Sequence, residues 1–259
     1  MVRLDEGGFA ARAVRLFAPR PSLRRWVQHV SIQPGPARHG GWRVVPDTCA
    51  HVIFSVEAGG AARCRVVGAR RAYADIDVAG RSFTAAVRLQ PGALAALTRE
   101  SAASFTDRAF AAADVFGADA CGLTDRLCEM TPLDAARHLL AFVEQRCARS
   151  DAGFDPCLIA HAARVADLRH ALGLSPRAVH AQLLATVGLA PKRALRIHRL
   201  LAALRHAGTG STLSAAALAA GYSDQAHFTR DARQLLGEPP AAWRRRGATP
   251  PTHTDKRHR

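Results

Sequence analysis

The last hundred residues of the chain contain an internal repeat with an offset of 49 residues. Residues 187–191 (VGLAP) and 236–240 (LGEPP) share an ending of the form apolar-Gly-x-x-Pro. At the same offset Ser175 coincides with Asp224, and both residue types are good helix N-caps. Each copy has the pattern of a short helix, a tight turn, a cap and a second helix that stops at glycine. The repeat therefore predicts two helix-turn-helix units, a motif whose second helix usually enters the DNA major groove.

The charge of the chain indicates an anionic partner. The formal net charge is +15 and the sequence pI is about 11.2. Residues 154–246 alone hold 13 Lys and Arg against 5 Asp and Glu. All basic residues except Lys192 and Lys256 are arginines, whose planar fork suits phosphate and guanine. Arginine-rich codon usage is the other explanation of this excess, whereas a physical role favours nucleic acid or an anionic membrane.

Composition bounds the class of protein. With 259 residues, 48% hydrophobic and 22% charged, the chain is long enough for two globular domains. Six cysteines form neither a C-x-x-C pair nor a zinc spacing with histidine, which predicts free thiols in a reducing compartment and no metal. No secretion signal and no long apolar run are visible, so we expect a cytoplasmic protein without a membrane partner.

Two kinds of secondary-structure pattern divide the chain and predict the α+β class. The expected organisation is a mostly β regulatory or assembly domain with helices at 1–150, an all-α domain of two helix-turn-helix bundles joined by a linker helix at 154–246, and a disordered basic tail at 247–259. Predicted strands are 51–56, 63–67, 73–78 and 82–89, with a helix at 91–100 and another after the Thr131 cap. The apolar face of that second helix is predicted as Leu133, Ala136, Leu140, Val143 and Cys147.

The phase of each second helix separates inward from outward residues. In the first copy, Val179 and Leu183 are four residues apart and face inward, which leaves Arg177 and His180 outside. In the second copy Phe228 is the inward anchor. The residues predicted to face bases are Arg177, His180, Gln225, Ala226, Thr229 and Arg230. Those predicted to contact phosphate are Ser175, Lys192, Arg193, Ser223, His227 and Arg233.

A linker helix is predicted between the copies at 192–206. Its 15 residues would reach about 22 Å, which suits two recognition helices in successive segments of the major groove, about 34 Å apart. Arg196 and Arg199 are expected on its polar side. Since the two outer faces differ in sequence, the implied double-stranded DNA site is asymmetric.

Residues 217–230 (ALAAGYSDQAHFTR), with Gly237, Pro240 and Trp243 after them, resemble the signature of the AraC/XylS family of bacterial transcription regulators. Residues 174–177 (LSPR) and 188–192 (GLAPK) are similar to the first half of that family's DNA-binding domain. The resemblance implies seven helices in two bundles, transcription activation and RNA polymerase as a partner. Ala181 departs from the polar residue usual in the family, so the first copy is expected to read bases less than the second.

The N-terminal half carries a second resemblance. Residues 44–54 (VVPDTCAHVIF) and 87–92 (VRLQPG) are similar to a regulatory domain with a P-D-G-C motif that is often fused to AraC-type DNA-binding domains. The resemblance implies a mostly β sensor or assembly domain. A small-molecule effector of unknown identity and a homodimer are the partners that such a domain suggests.

Other functions remain open at this stage. Cys49 and His51 would share one face of a strand, which allows a DNA-directed enzyme with thiol chemistry at Cys49. Because no third partner is apparent, we predict a structural cysteine, a turn-forming Asp47, no catalytic residues and no cofactor. A non-specific basic DNA-binding protein is the remaining alternative.

Overall fold

The computed structural model describes residues 2–4, 15–35, 41–78, 80–150 and 154–245. Its strands fall within the first 111 positions, and all of its α-helices except the one at Ala93–Thr98 follow them, which confirms the predicted α+β class. The strands are β1 Val2–Leu4, β2 Arg15–Ala18, β3 Val27–Pro34, β4 Gly41–Val44, β5 His51–Glu57, β6 Ala62–Val67, β7 Ala74–Asp77, β8 Arg81–Leu89 and β9 Ala109–Ala111. The four strands predicted from sequence correspond to β5, β6, β7 and β8, with small shifts at their ends.

The strands form one large antiparallel sheet and one small one. The large sheet has the order β1-β2-β3-β8-β5-β6-β9, and β4 pairs with β7 in the small sheet. Neighbouring valines on one face of the large sheet, Val30, Val87, Val52 and Val66, lie side by side and are fully buried. This apolar face is the core of the N-terminal domain.

The opposite face of the same sheet is much more polar. The adjacent cross-strand row consists of Ser31, Ala86, Ile53 and Arg65. Most of this row is half-buried rather than exposed. The alternation of a β-strand, in which successive side chains point to opposite faces, thus gives the sheet one face for the core and one polar face.

The described part of the N-terminal half also contains four α-helices: α1 Ala93–Thr98, α2 Ala112–Phe116, α3 Leu123–Cys128 and α4 Pro132–Cys147. As predicted, Thr131 caps α4, and its hydroxyl oxygen accepts a hydrogen bond from the Asp134 N–H at 3.2 Å. Of the predicted apolar face, Ala136, Val143 and Cys147 are buried as predicted, whereas Leu133 and Leu140 are half-buried. The buried face also includes Leu139 and Phe142.

Seven helices form the described part of the C-terminal half, as the resemblance implied: α5 Cys157–His161, α6 Val165–Leu172, α7 Pro176–Val187, α8 Pro191–Gly208, α9 Leu213–Ala219, α10 Gln225–Leu236 and α11 Pro240–Arg245. Helix α8 contacts α5, α6 and α7 on one side and α9, α10 and α11 on the other. It is the predicted linker helix, longer by one residue at its start and two at its end. Its buried Leu200 and Leu204 belong to the second hydrophobic core.

Two of the predicted segments lie outside the described residues: the proposed boundary at 151–153 and the tail at 247–259. No helix in the described part of the chain is long and apolar enough to span a membrane.

Candidate DNA interface

The first helix-turn-helix consists of α6, a turn at Gly173 and α7. Gly173 adopts a left-handed conformation with φ of 65°, which ends α6. The Ser175 hydroxyl oxygen then accepts a hydrogen bond from the Ala178 N–H at 3.3 Å and caps α7. Val179 and Leu183 are fully buried, so the predicted phase of α7 is confirmed.

That phase leaves one side of α7 open to solvent. Arg177, His180 and Ala181 are exposed, and Leu184 is half-buried. Two side chains that can hydrogen-bond bases therefore stand in the first half of the helix. Their contact with bases stays a prediction.

The second helix-turn-helix, α9 and α10, has a stronger cap. An Asp224 carboxylate oxygen accepts a hydrogen bond from the His227 N–H at 2.7 Å, and the Ser223 hydroxyl donates to the other oxygen at 3.1 Å. These two bonds, the first above all, hold the pKa of Asp224 below its usual range. The carboxylate is thus ionised at neutral pH and favours the positive end of the helix dipole.

The exposed side of α10 is more polar than that of α7. Gln225, Ala226, Arg230 and Arg233 are exposed, and Thr229 is half-buried. Phe228 is fully buried and anchors the helix, as predicted. Gln and Arg are side chains that can bond adenine and guanine edges, respectively.

The residues predicted to contact phosphate are in two situations. Ser223 and His227 lie 3.2 Å apart, from Oγ to Nδ1, at the start of α10, and the His227 ring is half-buried against Tyr222. Lys192 is exposed and Arg193 half-buried in the first turn of α8. Both groups lie at helix N-termini, where an anion is favoured.

Comparison with known families agrees with this geometry. Residues 168–246 match a helix-turn-helix domain of the AraC type. Residues 168–246 therefore form an AraC-type helix-turn-helix domain. Residues 15–111 match a domain of unknown function, DUF6597, which fits the expected fusion of a regulatory domain to an AraC-type DNA-binding domain. No curated protein matches the chain.

Solved structures give a weaker similarity. One is ToxT from Vibrio cholerae O395, with 8% identity, a TM-score of 0.41, and coverage of 87% of this chain and 99% of that one. Another is ToxT bound to (E)-4-(8-methylnaphthalen-1-yl)but-3-enoic acid, with 10% identity, a TM-score of 0.42, and coverage of 95% and 97%. Similarity at this level carries no inference about the function of the present chain.

Within the AraC-type domain, a buried acid joins the second copy to the linker helix. Asp231 on α10 is buried, and its carboxylate receives Arg196 Nη2 at 2.6 Å and the Tyr222 hydroxyl at 3.3 Å. Arg199 Nη2 lies 3.8 Å away, and its guanidinium is 4.6 Å from the Tyr222 ring centroid. Burial, with the Asp231 charge next in importance, raises the pKa of Tyr222.

The sequence analysis missed this cluster and identified Arg196 and Arg199 only as polar residues of the linker helix. The cluster has a signal in the sequence. Asp231 lies three residues after Phe228 and four before Leu235, so it shares their inward phase. A carboxylate forced inward requires cationic partners, and the neighbouring helix supplies them.

The N-terminal half contains a second buried ion pair. Asp47 is buried and forms a two-pronged ion pair with the buried Arg88, one prong of which joins Oδ1 to Nη2 at 2.6 Å. Asp47 also accepts a hydrogen bond from the Cys49 N–H at 3.0 Å. Asp47 was predicted as a turn former, and its bond to the Cys49 N–H two residues on agrees with this. The structure adds that Asp47 joins the P-D-x-C stretch to β8. A buried acid can persist only with such a partner.

The same surroundings determine the chemistry of Cys49 and His51. Cys49 is fully buried, and burial raises the pKa of its thiol. Burial, followed by the nearby Arg88 charge, lowers the pKa of His51 to about 4. All six cysteines are free, as predicted, and the described residues contain no group of His, Cys, Asp or Glu able to hold a metal.

Proposed function

We propose that this DNA-binding transcription regulator reads two adjacent major-groove segments of one asymmetric site. The observation that carries the proposal is a pair of capped recognition helices, α7 and α10, on one stiff linker, α8. The 18 residues of α8 correspond to about 27 Å. A rod of this length suits the separation of successive major-groove segments, about 34 Å, once the recognition helices project from its two ends.

The base-facing set in this proposal is the one predicted from sequence. The second copy supplies more polar contacts, because Arg230 and Arg233 occupy repeat positions that hold Ala181 and Leu184 in the first copy. The first copy contributes Arg177 and His180. The remaining predicted residues at the helix starts, Ser175, Lys192, Arg193, Ser223 and His227, contact phosphate and set the register.

Activation through contact with RNA polymerase, a homodimer and a small-molecule effector complete the proposal. Activation and the polymerase contact follow from family habit. The effector is favoured by the polar, half-buried face of the large sheet, where Ser31 and Arg65 stand in one cross-strand row. Six free thiols fit a reducing compartment, and we propose a cytoplasmic location.

We propose no enzymatic activity. Thiol chemistry at Cys49 would need a thiolate with access to its substrate. The Cys49 side chain is instead buried, with the pKa of its thiol raised by that burial. Exposure of the protein to alkylated DNA, followed by mass spectrometry, is expected to leave the mass of the Cys49 peptide unchanged.

Selection of bound duplexes from a random pool tests the main proposal. We expect one asymmetric consensus with two conserved segments about one helical turn apart. A palindrome that contains only one conserved segment per chain would contradict the reading of two segments by a single chain. Selected and random duplexes that differ by less than about 10³ in affinity would favour the non-specific alternative.

A further inference from the structure

The two recognition helices are held by the N-terminal domain at equivalent ends. Helices α7 and α10 end at Gly188 and Gly237, which occupy the same position of the 49-residue repeat. Both glycines are left-handed, with φ of 84° and 75°. The N-terminal domain approaches each helix at this end, where the last carbonyl groups of a helix have no partner within it.

At the end of α7 the partner is Thr106. Its hydroxyl donates a hydrogen bond to the Gly188 carbonyl oxygen at 2.7 Å. A Cβ atom at Gly188 would lie 2.6 Å from the Thr106 Oγ1 and 2.8 Å from the Ala102 carbonyl oxygen. Only glycine therefore allows this close approach of the two domains.

At the end of α10 the partners are Tyr73 and Arg43. The Tyr73 N–H donates to the Leu235 carbonyl oxygen at 2.8 Å, and Arg43 Nη1 donates to that of Leu236 at 3.3 Å. The Arg43 guanidinium lies 4.4 Å from the Tyr73 ring centroid. A Cβ at Gly237 would lie 2.5 Å from the Tyr73 ring, so a larger residue at this position would displace that ring.

The two attachment loops are joined to each other by Asp107. The Asp107 N–H donates to the Ala69 carbonyl oxygen at 2.9 Å. The Asp107 carboxylate accepts from the Arg71 N–H at 2.8 Å and from Arg71 Nε at 2.5 Å. Residues 69–73 and 102–107 thus form one unit, which we name the bridge, and its two ends hold the two recognition helices.

The bridge leaves the predicted DNA-facing residues open. Arg177 and His180 on α7, and Gln225 and Arg230 on α10, are exposed although the domains are docked. The contacts of the bridge lie at the C-terminal ends of both helices, whereas these residues lie in the N-terminal halves. The docked arrangement is therefore compatible with DNA binding.

We propose that Thr106, Asp107 and Tyr73 are positioning residues for DNA recognition. Together with α8 they fix the distance and the rotation between α7 and α10, and hence the spacing between the two DNA segments that the chain accepts. This inference rests on the proposed function. It adds that the N-terminal domain helps to set the spacing between the two DNA segments that the chain accepts.

The test uses the full chain and the duplex obtained by selection. Two further duplexes carry one base pair more or one fewer between the two segments. Wild type is expected to bind these at least about tenfold more weakly, a loss of about 1.4 kcal/mol. For Thr106→Val and Asp107→Ala, affinity for the two altered duplexes is expected to be less than about threefold below that for the selected duplex. The reason is that recognition helices released from the bridge can adapt to the altered spacing. Thr106→Ser keeps the donor and is expected to restore the wild-type profile.

A glycine pair supplies a matched control. Gly188→Ala introduces both left-handed strain and the collision with Thr106. Gly173→Ala introduces the same kind of strain, since Gly173 has φ of 65°, but its Cβ would meet nothing within 4 Å. We expect only Gly188→Ala to broaden the spacing tolerance.

A second measurement needs no DNA. Spin labels carried by unnatural amino acids at the exposed positions Ala181 and Ala226 report the distance between the recognition helices. A narrow distribution is expected for wild type and for Thr106→Ser, and a broad one for Thr106→Val and Asp107→Ala. If the distance distributions of all four proteins are equal, the positioning role of the bridge is wrong, whatever the outcome for DNA binding. If the distances differ but all four proteins show the same affinity profile over the three duplexes, the bridge does not set the spacing, although the proposed DNA binding stands.

Discussion

The two helix-turn-helix copies share a backbone plan but are anchored by different physics. In the first copy α7 is held by apolar contacts of Val179 and Leu183. In the second, α10 adds to Phe228 a buried carboxylate, Asp231, that is paired with Arg196 of the linker helix. The repeat position of Asp231 in the first copy is Gln182. The same helix-turn-helix arrangement is therefore anchored by buried apolar side chains alone in the first copy. In the second copy it is anchored by a buried apolar side chain together with an ion pair.

This difference teaches that scaffold and surface vary separately in a duplicated motif. The N-cap, the inward anchor and the C-terminal glycine recur because each fixes the backbone. Exposed positions are free to diverge, and Arg230 in one copy stands where the other has Ala181. An ionic anchor is also directional, so it fixes the rotation of α10 on α8 more narrowly than apolar packing fixes α7.

The largest expected effect comes from removing the ionic anchor. Asp231→Ala leaves Arg196 and Arg199 without their carboxylate, and we expect a loss of about 2–4 kcal/mol in the free energy of unfolding. Gln182→Leu is the matched control in the first copy, where Gln182 Oε1 is buried with no hydrogen-bond partner among the described residues. It is expected to be neutral or stabilising. Urea unfolding of the full chain measures both, and equal losses would remove the distinction between the copies.

The next largest expected effect is the loss of DNA affinity when a base-facing arginine is removed. Arg230→Ala is expected to weaken binding to the selected duplex by about 1–3 kcal/mol and to relax base preference at one position. Arg177→Ala is expected to lose less. Titration against the consensus and its single-base variants gives both quantities. A uniform loss over all sequences would show that Arg230 contacts phosphate only.

The N-caps of the two copies should differ in how their contribution to stability depends on pH. Ser175→Ala is expected to lose about 1 kcal/mol of stability at every pH, since its hydroxyl does not titrate. Because the folded-state pKa of Asp224 lies below the ordinary value of 3.8, its charge stabilises the fold above that pH. This contribution is lost as the pH falls through the folded-state pKa. The stability difference between wild type and Asp224→Asn should therefore be present at pH 7 and shrink below pH 3.8, and a difference that is constant with pH would contradict the charged cap.

The smallest expected effect is on the salt dependence of DNA affinity. Arg233→Ala is expected to reduce the slope of log K against log salt concentration by about 1, the value of one phosphate contact. Leu184→Ala, at the corresponding position of α7, should leave the slope unchanged. Binding isotherms over a range of potassium chloride concentrations decide this, and an unchanged slope for Arg233→Ala would exclude its phosphate contact.

Local patterns predicted much of this molecule. Caps such as Ser175, Asp224 and Thr131 depend on bonds that reach only three residues along the chain, so the sequence displays them directly. The inward phase of α7 and the strands β5 and β8 likewise follow from alternation or helical period.

The features that sequence analysis missed depend on partners far along the chain. Asp47 pairs with Arg88 across 41 positions, Asp231 with Arg196 across 35, and Thr106 with Gly188 across 82. A single sequence shows that such residues exist but not which of them meet. Asp47 was therefore interpreted only as a turn former, and Asp231 was not singled out, because their cationic partners are visible only in the fold.

The single linker helix has a consequence for how the protein can change over evolutionary time. Each residue inserted into α8 would advance the second copy by about 1.5 Å and rotate it by about 100°. Only an insertion of about seven residues returns it near its original facing, and by then it has moved about 10 Å. New base preferences can thus arise by single exposed substitutions on α7 or α10. A new separation between the two DNA segments requires a change both in α8 and in the N-terminal domain, which holds the C-terminal ends of α7 and α10. Relatives with this linker should therefore differ in the bases that they prefer but keep the same spacing between the two DNA segments.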